Sequence, residues 1–98
     1  MVKIYQVNHG RAPDKIFVKY RESMVNPADY DFAGSSQEDF DGLEDIFMFY
    51  NTHSPQFGRS LSVSDVVVTE GVKGVEDGAY YCDTIGWKKI DFRWKKSA

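Results

Sequence analysis

Residues 58–70 read GRSLSVSDVVVTE, and what this stretch does decides how the chain folds. A glycine and an arginine lead into three serines at alternate positions, an aspartate and three valines. In one reading this is the way a chain enters a buried strand. Ser62 and Asp65 have capping spacing, so a single turn leads to a strand that starts at Val66. Leu61 and Val63 then point inward, while Ser60, Ser62 and Ser64 satisfy local backbone groups. In the other reading Arg59, the hydroxyls and backbone N–H groups hold a phosphate or a carboxylate. A phosphate loop usually brings more glycine and a following helix. Here valines follow. The motif reads mostly as architecture, with Arg59 the one residue that reading leaves unexplained.

Upstream, SSQEDFDGLEDIFMFYN (35–51) is the best helix in the chain. Ser35 and Glu38 have the capping-box spacing, and Asp39 and Asp41 are expected in the first turns, where the helix dipole favours negative charge. Phe40, Leu43, Phe47 and Tyr50 recur at three- and four-residue intervals and form one apolar stripe, widened by Ile46 and Phe49. Gly42 is expected to weaken the helix by about 1 kcal/mol relative to alanine. Asn51 and Pro55 end it.

Short runs rich in β-branched and aromatic residues flank the helix. Residues 2–7 (VKIYQV) and 16–20 (IFVKY) read as two strands joined by a loop broken at Gly10 and Pro13. Ile16, Val18 and Tyr20 give the second an apolar face. Around Tyr30 and Phe32 a brief edge strand fits. Downstream of the valines, GVKGVEDG is a glycine-punctuated connection, AYYCD a strand, DTIG a turn, and WKKIDFRW a last strand with Ile90, Phe92 and Trp94 on one side. The order is roughly β-β-(β)-α-β-β-β. That predicts an α+β domain, a mostly antiparallel sheet against one main amphipathic helix. With 98 residues, 42% of them apolar, it is expected to be a single domain over 1–98.

Composition narrows the functional classes. Cys82 is the only cysteine, so no internal disulfide and no cysteine metal site is expected. His9 and His53 lack ligand spacing, and neither a metal nor a cofactor is anticipated. The opening MVKIYQV lacks the apolar stretch of a signal peptide, and no run reaches a membrane span, so a cytoplasmic protein is expected.

Charge is unevenly distributed. Seven carboxylates fall between Asp29 and Asp45 with no Lys or Arg among them, and the last eleven residues, KKIDFRWKKSA, carry five positive charges and one negative.

The pattern of Asn51 and His53 before Phe57, then Gly58 to Val68, then Tyr80, Tyr81 and Asp83 ending in Gly86 and Trp87, resembles the YodL-like family. The IYQV, DYDFAG and LEDIF segments also fit, so the similarity spans nearly the whole chain. The resemblance implies a small protein or module common in Firmicutes and their phages, plasmids and conjugative elements. It supplies no catalytic set to carry over.

Three kinds of activity are weighed on the residues. Cys82 with His53, and Asp83 or Asp65 as orienter, would make a nucleophilic site, but Cys82 sits in a strand where a free cysteine behaves as a small apolar residue. No enzyme is expected. A nucleic-acid-binding module would use Lys88, Lys89, Arg93, Lys95 and Lys96 with Phe92 and Trp94, yet a pI near 5.2 gives no global field for phosphates. The acidic segment is the favoured surface. Asp39, Asp41, Glu44 and Asp45 are expected to supply charge steering toward a protein partner with a basic surface, with His53 and Arg59 at the rim.

Overall fold

The computed structural model describes residues 1–21 and 24–95. Five strands form one sheet: β1 (Val2–Val7), β2 (Tyr30–Ser36), β3 (Val66–Thr69), β4 (Gly78–Cys82) and β5 (Trp87–Ile90). The spatial order is β2-β1-β3-β4-β5, and every neighbouring pair is antiparallel. One α-helix, α1 (Leu43–Thr52), lies between β2 and β3 in the chain. The α+β class and the antiparallel sheet agree with the expectation from the sequence.

Both faces of the sheet are buried, and alternation along the strands assigns residues to each. Val2 and Ile4 of β1 and Val67 of β3 join Ile46 and Tyr50 of α1, with Phe40, Leu61 and Val72, in one core. Tyr5 and Val7, with Val66, Ala79 and Tyr81, form a second core on the opposite face. Among the described residues no α-helix covers that second face. Ile16, Tyr20, Met24 and Val25 from the β1–β2 connection, and Phe92 and Trp94 beyond β5, cover it instead. The C-terminal segment is pinned by Trp94, whose Nε1 donates to the Tyr30 carbonyl at 2.8 Å.

Four local expectations need correction. Residues 16–20 are not a strand. Their alternation is real, since Ile16, Val18 and Tyr20 are half-buried while Phe17 and Lys19 are exposed. The backbone, however, bonds to side chains: Val18 N–H donates to Ser64 Oγ (2.7 Å), the Tyr81 hydroxyl donates to the Val18 carbonyl, and Tyr20 N–H donates to Asp83 Oδ1 (3.0 Å). Phe17 at φ 57° breaks the extended run. The bracketed strand around Tyr30 and Phe32 is instead a full edge strand.

The helix begins seven residues later than expected, with its N-cap at Gly42 rather than Ser35. Ser35 and Ser36 belong to β2, where Ser36 pairs with Val2 and the Gln56 amide bridges the Ser35 N–H and carbonyl. The capping box is therefore not formed. Asp39 and Asp41 precede the helix, and Gly42 is its N-cap at φ 122°, a conformation glycine adopts freely. Asp45 in the first turn reaches back and accepts the Asp41 N–H at 2.9 Å, which is capping logic one turn further along the chain. The last strand also stops early, at Ile90, although Ile90, Phe92 and Trp94 do share one core.

Candidate functional site

The motif at 58–65 folds around a carboxylate, and that carboxylate is the chain's own. Asp65 is completely buried. Its Oδ2 accepts from Ser62 N–H (2.9 Å) and Gln6 Nε2 (3.1 Å), and Arg59 Nη2 approaches Oδ1 at 3.4 Å. Gln6 is the second half of the node. Its Nε2 donates to the Arg59 carbonyl and its Oε1 accepts from Arg59 N–H, at 2.8 and 3.0 Å. Gly58 makes this approach possible, because a Cβ there would lie 2.3 Å from Gln6 Oε1 and 2.8 Å from the Ala33 Cβ.

Burial is the largest influence on Asp65 and pushes its carboxyl up to about 7, while the surrounding donors, led by Ser62 N–H, hold it from rising further. The turn itself is Asp65 N–H to the Ser62 carbonyl, and Ser64 sits in it at φ 88°.

Ser64 ties the motif to the loop-covered face. Its hydroxyl accepts from Val18 N–H and lies 3.2 Å from the Tyr81 hydroxyl, and its carbonyl accepts from the Tyr30 hydroxyl at 2.7 Å. Arg59 is thus explained: its guanidinium side chain, 37% exposed, pairs with Asp65 and bonds the Val7 carbonyl. The place an external anion would take is occupied internally. Gln6 was missed from the sequence, although an amide side chain within the otherwise apolar end of VKIYQV was the available signal.

The acidic segment divides into two parts. Asp29 pairs with Lys15 at 2.7 Å and Asp31 with Arg11 at 2.8 Å, so bases from the β1–β2 connection compensate both. Glu38, Asp39, Asp41, Glu44 and Asp45 remain as an exposed shoulder around the start of α1. Glu38, Asp39 and Asp41 line a recess of about 280 Å³ with Phe40, Val72 and Lys73. Lys73 Nζ stands 3.8 Å from Asp41 Oδ1, with both side chains well exposed. Glu44 accepts from Trp87 Nε1 at 3.0 Å, and Asp45 is engaged as the backbone cap.

The other candidate residues lie apart. His53 is exposed, stacks on Phe49 with ring centroids 4.6 Å apart, and shares a shallow recess with Glu38, Tyr50 and Pro55. It borders the acidic shoulder through Glu38, whereas Arg59 belongs to the buried node. Cys82 is buried at the end of β4 and lines a different recess from His53. Burial, followed by the nearby Asp65, Glu44 and Asp83, pushes its thiol up to about 12, so it stays protonated and a poor nucleophile. Among the described residues, no group of three or more His, Cys, Asp or Glu is placed to hold a metal.

The basic strand is largely engaged. Lys88 lies over the Tyr20 ring at 5.8 Å, Lys89 pairs with Glu76, and Arg93 is 3.3 Å from Asp91. Lys95 is exposed, and Lys96 lies outside the described residues. Phe92 and Trp94 pack into the second core and are not free to stack on bases.

A single antiparallel sheet with a helix on one face and connections on the other defines a small α+β domain, its serine-rich turn closed by an internal ion pair. Comparison with protein-family models matches residues 1–92 to the YodL-like domain, and the chain belongs to that family. No curated protein and no solved structure matches it. No helix among the described residues is long and apolar enough to cross a membrane.

Proposed function

We propose that the protein is a non-enzymatic interaction module that docks on a basic surface of another protein through the carboxylates around the start of α1. The observation that carries this reading is the imbalance of the shoulder. Five carboxylates gather at 38–45, and Lys73 is the one cation within ion-pair distance of any of them among the described residues. Such a patch raises the encounter rate with a positively charged partner and rejects acidic ones. The buried, protonated Cys82 and its separation from His53 support a binding role over a catalytic one.

In its most concrete form, the chain comes from a phage or mobile element and inhibits a nuclease-type defence protein. The shoulder then sits in a basic channel where a phosphate backbone would otherwise lie. The test is to measure complex formation with candidate defence nucleases as salt rises, for the wild type and for a D39N/D41N double variant. The reading expects binding that weakens with salt and a loss of several-fold in the variant. Binding that ignores both salt and the substitutions contradicts it.

A further inference from the structure

Glu44 faces a second recess that the shoulder alone does not account for. A cleft of about 210 Å³ lies between α1 and the β4–β5 hairpin, lined by Glu44 and Phe47 on one side and by Cys82, Asp83 and Trp87 on the other. No lysine or arginine lines it. The Trp87 indole is fixed there, by its hydrogen bond to Glu44 Oε1 and by edge contact with Phe47 at 6.3 Å and 79°. Asp83 is fixed too, its Oδ1 accepting from Tyr20 N–H and Thr84 N–H. Each carboxylate keeps a second oxygen with no partner among the described residues. The cleft therefore joins an aromatic wall to the Glu44 carboxylate, with Asp83, tied to Tyr20, at its edge.

We propose that this cleft receives the guanidinium of an arginine from the protein partner, stacked on Trp87 and hydrogen-bonded to Glu44 and Asp83. A planar, delocalised cation with forked donors suits a ring face beside carboxylate oxygens better than a compact ammonium does.

The rim points to a protein as the source of the cation. Ile85, between the cleft residues Thr84 and Gly86, is 92% exposed, and Met48, one turn beyond Glu44 on α1, is 69% exposed. A cationic anchor flanked by apolar contacts is the arrangement of an interface hot spot. A free small cation would have no use for that rim. The inference rests on the proposed binding of a basic partner and assigns one anchor within it.

Two probes test it without the partner: N-acetyl-arginine-N-methylamide and its neutral citrulline counterpart, each titrated into the full chain while the Trp87 indole N–H resonance is followed by NMR. The arginine probe is expected to move that resonance saturably, the citrulline probe to leave it in place. Glu44→Gln, which keeps an acceptor for Trp87, should weaken the arginine effect about fivefold, roughly the worth of one exposed ion pair, and Asp83→Asn should act in the same direction. An equal response to citrulline, or no loss in either variant, overturns the proposal. So does an unmoved Trp87 in a protein that still binds a basic partner in a salt-dependent way, and the broader reading then stands. A Trp87 that responds to arginine while D39N/D41N leaves partner binding unchanged supports the cleft and removes the shoulder.

Discussion

Asp65 and the carboxylates at 38–45 are the same chemical group put to opposite uses. Asp65 is sealed among donors from Ser62, Gln6 and Arg59, and it organises the entry to β3 and the neighbouring loop. The shoulder carboxylates are exposed, and apart from Asp45 and Glu44 they hold nothing in place. A buried charge whose partners are lost leaves several groups unsatisfied, whereas an exposed charge exchanges partners with water at little cost. The comparison separates residues that hold the domain together from residues available to a partner.

The largest effect should come from removing the buried group. Asp65→Ala removes the acceptor of Ser62 N–H, one of two acceptors of Gln6 Nε2 and the ion-pair partner of Arg59, and urea denaturation is expected to show a loss of about 3 kcal/mol. A much smaller loss would mean that the node is not what holds residues 58–65. Gly58→Ala comes next, since the added methyl meets both Gln6 Oε1 and Ala33. It should destabilise by about 1–3 kcal/mol as an overpacked site, and a neutral result would show that Gln6 moves aside freely.

The node also carries a pH signature. Because Asp65 is raised from 3.8 to about 7 in the folded protein, the native state binds a proton that the unfolded chain has released. That contribution to stability is complete below the unfolded value and is lost as pH rises through the folded one, with a slope of at most about 1.4 kcal/mol per pH unit between them. Denaturation midpoints measured at pH 5 and pH 8 should fall for the wild type more than for Asp65→Asn. Equal changes would show that Asp65 does not titrate in that window.

At the shoulder the expected stability effects shrink. Asp45→Ala removes the acceptor for Asp41 N–H and should cost about 1 kcal/mol, as a lost helix cap does. The D39N/D41N pair should change stability by no more than about 0.5 kcal/mol while weakening the partner complex.

How much of this was legible in the sequence follows the same division. Period-two and period-3.6 patterns found the sheet, the helix stripe and the inward-facing set Ile90, Phe92 and Trp94, because burial imposes those periods directly. Residues 16–20 show the same alternation without a strand, since their backbone bonds are taken by Ser64, Tyr81 and Asp83, distant in sequence. The helix start was misplaced because Ser35 and Glu38 fit a local cap, but pairing of β2 with β1 claimed Ser36 first. At the candidate site, the acidic shoulder was visible as composition. The bonds from Gln6 to Arg59 and Asp65, and from Trp87 to Glu44, join residues dozens of positions apart and leave no local pattern.

One measurement addresses the division most directly: a map of backbone amide shifts on adding an arginine-rich hexapeptide at low and at moderate salt. The expected result is a response confined to residues 38–45 and 82–87 that fades as salt rises, with residues 59–65 unmoved. A response centred on residues 59–65, or one spread over the basic strand and indifferent to salt, would contradict the account.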